Sequence, residues 1–238
     1  MTKKLSLIAF LFISLLSACS DDSGTYQCKD CADAPEANAA YDLTGQGIYK
    51  GVLIGSSGTI KFDIANNSTA ITAVLEIDGK TVTLTATGSY NVSTGYSGAF
   101  TGTMEGGAVS ITFTVTNAGV FTMGTVTIPG HPNVIFGIYK EKSNKLVQAF
   151  EGTYSGDDAG TFNMVFRRNE NGSGAWYVIS RRTEDGLDSY FQGEVSVDGA
   201  MVGGAQNVVI TGTLDGDNVK GTWTNGAVSG TWKGRRTL

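Results

Sequence analysis

A regular alternation of apolar and polar residues is the feature that most constrains the fold of this chain. Between Val109 and Thr116, Val, Ile and Phe occupy every second position and Ser or Thr the positions between them. A period of two is typical of strands with one buried and one solvated face. The chain also has 33 Gly and only 3 Pro, and no long segment shows a helical period. The sequence therefore predicts an all-β fold from residue 46 to residue 238.

Asp78-Gly79 is a hairpin signal between two such alternating segments. Asp-Gly favours a two-residue type I′ turn, whose twist matches that of the flanking strands. A turn centred on this dipeptide pairs Leu75 with Val82 and Ala73 with Leu84. One face of the hairpin is then apolar, and Thr dominates the other.

Asn225-Gly226 is a second hairpin signal, close to the C-terminus. If the dipeptide forms the two central residues of the turn, both nearby tryptophans lie on one face beside glycine backbone. The predicted pairs are Trp223 with Val228, Gly221 with Gly230, and Val219 with Trp232.

The chain repeats itself weakly, with a period of about 100 residues. The segment 47–51 reads Gly-Ile-Tyr-Lys-Gly and the segment 152–156 reads Gly-Thr-Tyr-Ser-Gly. Each opens a series of about eight short strands whose last member can return to pair with the first, which would remove exposed edges. We predict two tandem antiparallel up-and-down β-barrel-like units, 46–146 and 147–238. One larger barrel or sandwich built from both halves is the alternative.

The N-terminal segment has the pattern of an export signal. Lys3 and Lys4 precede an apolar stretch over 5–16, and Leu16-Ser17-Ala18-Cys19 follows. The apolar stretch is shorter than the ~20 residues that a bilayer-spanning helix needs. The four residues resemble a bacterial lipobox. This resemblance implies that residues 1–18 are a lipoprotein signal peptide and that Cys19 is acylated after cleavage.

The residues after Cys19 bear on the location of the anchor. Ser20 in the position after the cysteine resembles an outer-membrane lipoprotein signal, and the Asp21-Asp22 pair resembles the export signal of surface lipoproteins in the Bacteroidota. These resemblances imply a protein that is lipid-anchored in the outer membrane and exposed on the cell surface. An anchor that faces the periplasm is the alternative.

Residues 19–45 show no alternating or helical pattern, and we predict a flexible tether there. The tether contains Cys28 and Cys31, the two cysteines other than Cys19. A metal site would need two further ligands, and a redox role would need a thioredoxin-like context. In an oxidising envelope we expect a local disulfide between Cys28 and Cys31. The sequence predicts no metal site and no cofactor.

Gly-Thr-aromatic triplets recur where the second unit begins and ends, at 152–154, 221–223 and 230–232. This pattern of Gly, Thr and aromatic residues resembles the strands of calycin-like and avidin-like barrels. The resemblance implies an up-and-down barrel with a ligand cavity. No set of ligand-contacting residues from those barrels can be matched to residues of this sequence.

Trp176, Trp223 and Trp232 are the three tryptophans of the chain, and all belong to the second unit. One interpretation is that they fill the core at the end of a barrel. The other is that they form a stacking platform for a sugar or another flat ligand.

Charge and residue content exclude several classes of function. The chain carries 17 Lys and Arg against 22 Asp and Glu, which disfavours nucleic-acid binding. His131 is the single histidine, so a Ser-His-Asp triad, a Cys-His pair and the usual zinc sites have no basis. We interpret acidic pairs such as Asp157-Asp158 and Glu184-Asp185 as turn residues. No catalytic residue is predicted.

The sequence thus predicts a lipid-anchored, non-catalytic binding or interaction module. Its expected partners are the membrane, through the anchor, and a glycan, a small apolar ligand or another envelope protein. A structural envelope protein without a small ligand is one alternative. A glycan hydrolase that uses a pair of carboxylates is another.

Overall fold

A computed structural model describes residues 26–54 and 58–238 of the chain. These residues form sixteen strands and a short 3₁₀ helix at Ala39–Tyr41. The strands of the first unit are β1 Gly47–Ile54, β2 Gly58–Ile64, β3 Ile71–Ile77, β4 Lys80–Ala86, β5 Tyr96–Met104, β6 Gly107–Val115, β7 Phe121–Thr127 and β8 Ile135–Lys140. Those of the second unit are β9 Lys145–Gly156, β10 Gly160–Asn169, β11 Gly174–Arg182, β12 Asp188–Val195, β13 Ala200–Ala205, β14 Val208–Asp215, β15 Asn218–Asn225 and β16 Val228–Arg236.

The first unit is one antiparallel sheet with the order β7-β6-β5-β4-β3-β2-β1-β8. Its last strand returns to pair with its first, as the sequence predicted, with Gly51 opposite Ile138. The connection from β7 to β8 contains Pro129 and Pro132, which have no N–H to donate to a ladder. The sheet is nearly closed, and β7 and β8 form its two edges.

The second unit is a closed antiparallel barrel of eight strands. Consecutive strands pair throughout, and β16 closes the barrel on β9, with Trp232 opposite Tyr154. The prediction of two tandem barrel-like units is therefore confirmed. The alternative of one shared barrel or sandwich is wrong, because each unit completes its own sheet and surrounds its own core.

The two predicted hairpins differ in outcome. Leu75 pairs with Val82 and Ala73 with Leu84, as predicted. The register predicted near the C-terminus is wrong, because Asn225 pairs with Val228 and the turn is Gly226-Ala227. The observed pairs are Trp223 with Gly230, Gly221 with Trp232, and Val219 with Gly234.

Backbone angles explain this difference. Asp78 and Gly79 both have positive φ, +50° and +71°, as a type I′ turn requires. At the second hairpin the positive φ belongs to Gly226, +61°, and not to Asn225. A type II′ turn places such a glycine first, so the turn lies one residue further along than the dipeptide suggested. Both tryptophans still share a face, as predicted, because the register moved by an even number of residues.

The two units contact each other through the outer faces of β1 and β8 and of β9, β10 and β11. Val52 of β1 packs with Val147, Ala149 and Val165 in a small buried cluster. The Asn163 side-chain amide donates a hydrogen bond to the Leu53 carbonyl oxygen. These contacts bury apolar surface on the outside of both sheets.

Residues 26–36 pack across one end of the second barrel. The Tyr26 hydroxyl donates to the Arg236 carbonyl oxygen at 2.9 Å, and the Cys28 N–H donates to the Asp217 carboxylate at 2.7 Å. The buried Arg236 guanidinium lies 3.2 Å from Asp217 and 3.4 Å from Asp33. We call this segment the strap, and the end that it covers the closed end. The prediction of a flexible tether over 19–45 did not include these contacts.

Cys28 and Cys31 of the strap are joined by a disulfide, with their Cα atoms 5.5 Å apart. This is the pairing expected from the sequence. It closes a short loop directly beside the hydrogen bond from Cys28 to Asp217.

A buried ion network joins the strap to both units. The Lys50 ammonium lies 2.8 Å from Glu36 and 2.9 Å from Glu141, which also accepts the Val147 N–H at 3.0 Å. Burial raises the pKa of Glu36, but hydrogen bonds and charge from Lys50 and Lys61 outweigh it, so this pKa lies below its usual value. The network fixes the end of the strap to β1 and to the connection between the units.

The described residues contain no helix that is long and apolar enough to cross a membrane. The predicted signal peptide at 1–18, Cys19 and the Asp21-Asp22 pair lie outside the described residues.

Candidate functional site

Inward-facing glycines shape the interior of the second barrel. A Cβ atom built on Gly212 would lie 2.4 Å from Trp232 Cζ2, and one on Gly193 would lie 2.4 Å from Trp176 Cζ2. Phe162 lies in the same way against Gly152, at 2.5 Å. Real side chains do not approach so closely, so each ring lies directly against bare backbone. Aromatic rings that cover glycine hold a sheet together without filling its centre.

A cavity of about 260 Å³ lies inside this barrel. Its wall is mainly aromatic and aliphatic, with a smaller set of polar residues. The apolar lining residues are Phe162, Met164, Val178, Leu187, Phe191, Val208, Ile210, Trp223 and Trp232. The polar lining residues are Tyr154, Asp158, Ser180, Arg182, Ser189 and Asn225. Cavities that are mostly apolar with a few polar groups are the usual form of small-molecule sites.

The cavity reaches the surface at the end of the barrel opposite the strap. Strand β15 begins at Asn218, which contacts Tyr26 of the strap, and ends at Asn225, which lines the cavity. Leu187, another lining residue, is 55% exposed. The turns that follow β9, β11, β13 and β15 therefore surround a mouth, and the strap covers the other end.

The three tryptophans have different positions in the barrel. Trp176 is fully buried, donates to the Glu194 carbonyl oxygen at 3.1 Å, and does not line the cavity. Trp232 lines the cavity and donates to the Thr222 carbonyl oxygen at 3.2 Å. Trp223 also lines it and is half-buried. Its Nε1 is buried without a hydrogen-bond partner among the described residues.

Two carboxylates surround the one cation among the described lining residues at the mouth. Arg182 binds the Asp185 carboxylate through two hydrogen bonds of 2.9 and 2.6 Å, and Asp158 lies 3.8 Å away. Burial and the nearby Asp158 carboxylate raise the pKa of Tyr154 to about 12 despite the opposing charge of Arg182. The Tyr154 hydroxyl therefore stays protonated at neutral pH and can donate a hydrogen bond at the mouth.

The core of the first unit is filled by aromatic rings. Phe113 lies at its centre and is fully buried. Its ring centroid is 4.6 Å from that of Phe62 and 5.3 Å from that of Tyr49. Phe100 and Phe121 complete the cluster around it, with centroids at 6.4 and 5.8 Å.

Metal binding and carboxylate-pair catalysis would each need acidic side chains close together. The part of the chain that the structure describes contains no group of three or more His, Cys, Asp or Glu that could hold a metal ion. Asp158 is the one carboxylate among the described residues that line the cavity, so this cavity offers no pair of facing carboxylates. His131 lies in the connection from β7 to β8, with Nε2 3.5 Å from an Asp78 carboxylate oxygen.

Sequence reasoning selected Trp223 and Trp232 but not the residues opposite them. Ser180, Ser189 and Phe191 lie on β11 and β12, which the sequence analysis had not placed beside the C-terminal hairpin. Glycine recurs at inward-facing positions such as Gly193 and Gly212, but the first unit also has inward-facing glycines, at Gly98 and Gly102, so glycine alone does not locate the cavity. Comparisons of the chain with protein-family models, with curated proteins and with solved structures found no match.

Proposed function

We propose that this protein is a lipid-anchored, non-catalytic binding module that takes a small, mainly apolar molecule into the second barrel. The observation that carries the proposal is the cavity of about 260 Å³, whose wall is formed by rings and aliphatic side chains. Removing apolar surface from water favours binding by roughly 25 cal/mol per Å². The cavity is somewhat smaller than typical drug-sized sites, which suits a compact ligand.

A small apolar ligand fits this wall better than a glycan does. Sugar recognition needs hydrogen-bond partners around the ring as well as an aromatic face, whereas here Trp232 shares the cavity wall with Met164, Val178 and Ile210. Trp176 is fully buried under the glycines of β12 and β13 and offers no free face. The filled core of the first unit suits a purely structural role, and we assign ligand binding to the second unit.

The anchor at Cys19 completes the proposal. Fully extended, the chain from Cys19 to Tyr26 spans at most about 25 Å. Since Tyr26 lies on the closed end, an acylated Cys19 keeps that end near the membrane, and the mouth opens on the far side. The ligand then enters from the aqueous side. Outer-membrane attachment on the cell surface rests on the signal-like residues 16–22.

A fluorescent probe tests the cavity. N-phenyl-1-naphthylamine is neutral and apolar, and its emission rises in an apolar environment. We expect saturable emission with the full mature chain and loss of that emission in Ile210→Trp, which fills the cavity. Val209→Trp is the matched control, because Val209 is adjacent, faces outward and is 51% exposed.

A second, smaller substitution controls for misfolding of the Ile210→Trp variant. Val208→Phe narrows the mouth at a half-buried position and should weaken probe binding while circular dichroism stays that of the wild type. If folded Ile210→Trp and Val208→Phe both bind the probe as the wild type does, the cavity is not the binding site.

The anchor has its own test. Cys19→Ala should release the protein from the membrane fraction, since a diacylated cysteine holds far more firmly than a single acyl chain. Signal cleavage is checked by the mass of the product. A correctly cleaved variant that stays membrane-bound after a high-salt wash contradicts the lipid anchor.

A further inference from the structure

Two serine hydroxyls interrupt the apolar wall of the cavity. Ser180 of β11 and Ser189 of β12 are directly opposite each other in the ladder, and both line the cavity. Ser180 is only 9% exposed. Its oxygen is not among the described side-chain atoms that are sealed from solvent without a partner, so it is open to the cavity and can bond to a ligand there.

Neither hydroxyl forms a hydrogen bond within the part of the chain that the structure describes. Other cross-strand hydroxyl pairs in this protein do bond to each other. Thr211 and Thr222, on the outer face of the second barrel, have their oxygens 3.0 Å apart, and Ser97 and Thr114 of the first unit have theirs 2.9 Å apart. The serine pair therefore presents its donors and acceptors to the cavity.

The charges at the mouth decide which polar group fits there. Arg182 is the one cation among the described lining residues; its Nε and Nη2 donate to Asp185, and its Nη1 lies 3.8 Å from Asp158. Asp158 adds a negative charge on the same rim. An anionic ligand would meet two carboxylates around the single guanidinium of the described lining, while a neutral hydrogen-bonding group can bond to both serines without that repulsion.

We propose that Ser180 and Ser189 recognise the neutral hydrogen-bonding end of an otherwise apolar molecule, such as an alcohol, a ketone or an amide, and that the site rejects the carboxylate of the same length. This inference rests on the proposed function, since it assigns a ligand class to the same cavity. The apolar body of the ligand lies against Trp223, Trp232 and Ile210.

Displacement of N-phenyl-1-naphthylamine by 1-octanol and by octanoate at pH 7.5 tests the inference. With the wild type we expect octanol to displace the probe with an affinity about tenfold higher than that of octanoate, which corresponds to about 1.4 kcal/mol. In Ser180→Ala/Ser189→Ala we expect octanol to weaken by about three- to tenfold, the range of one or two net hydrogen bonds. Binding of the probe, which does not need the serines, should stay the same or tighten.

The matched control is Thr211→Ala/Thr222→Ala, which removes a hydroxyl pair from the outer face and should leave both affinities unchanged. If octanoate competes as well as octanol, or if the serine variant keeps full octanol affinity while it binds the probe, the inference is wrong and the proposed function stands. If the wild type does not bind the probe at all, both fail.

Discussion

The two units have the same number of strands and the same kind of opening segment, yet the described core of the first is filled by packed rings, whereas the second is hollow and surrounds a cavity. In the first unit, rings pack on rings, with Phe113 between Tyr49 and Phe62. In the second, rings lie on glycines of the wall, as Trp232 does on Gly212. The filled unit is the one whose sheet has two edges, and the hollow unit is the fully closed barrel.

The comparison teaches that closing a barrel and filling it are separate problems. Closure follows from hydrogen bonding between the last and first strands. In the second barrel an indole lies over Gly212 and Gly221, whereas in the first unit Phe113 stands opposite Gly98 and still packs on four other rings. Packing of rings on one another, and not inward-facing glycine alone, distinguishes the two interiors.

Phe113→Ala should have the largest effect on stability. Phe113 is fully buried and contacts four other rings, so its removal leaves a void that the neighbouring rings cannot fill completely. We expect a loss of about 4 to 5 kcal/mol, the upper part of the range for such substitutions. Denaturant unfolding followed by circular dichroism measures it. A loss below about 1 kcal/mol would show that the first unit is not packed as described.

Trp232→Ala should cost less, about 3 kcal/mol, because part of the indole already faces the cavity. Trp223→Ala should cost less again, since that residue is half-buried and its N–H has no acceptor among the described residues. All tryptophans lie in the second unit, so unfolding followed by tryptophan emission reports on that unit. Equal, near-wild-type unfolding of both variants would contradict a structural role for Trp232.

Gly212→Ala should cost about 1 to 3 kcal/mol, because the added methyl group meets the Trp232 ring and the Lys220 carbonyl oxygen, both at 2.4 Å. Thr213→Ala, at the adjacent exposed position, is the control and should change little. In Trp232→Phe the smaller ring gives space to the methyl group. The double variant should therefore lose less stability than the two single losses together. If the two losses of stability are strictly additive, Gly212 and Trp232 do not interact energetically.

Much of the fold could be predicted from the sequence, whereas the site could be predicted only in part. Period-two alternation and the repeated opening segments define the strands and the two units, because both depend on local pattern. The hairpin at Asp78-Gly79 has the predicted register because both residues adopt positive φ. At Asn225-Gly226 only the glycine has a positive φ, and the dipeptide alone does not determine which turn type forms.

The cavity depends on contacts between strands far apart in sequence. Ser180 faces a space bounded by Trp223, and only the closed barrel brings them to one cavity. The contacts of the strap could not be predicted from the sequence for a related reason. Residues 26–36 have no periodic pattern. Single side chains such as Tyr26 and Glu36 hold them in place through hydrogen bonds and ion pairs. Composition alone does not distinguish such a segment from a flexible one.

The three indole N–H groups give the most direct test of the hollow second unit. In ¹H–¹⁵N correlation spectra of the mature protein, assigned with single Trp→Phe variants, 1-octanol is added stepwise. We predict that the Trp223 and Trp232 indole signals shift together and saturate, because both rings line the cavity, while the Trp176 signal stays in place. No shift at either Trp223 or Trp232, or a saturable shift confined to backbone amides of the first unit, would contradict the account.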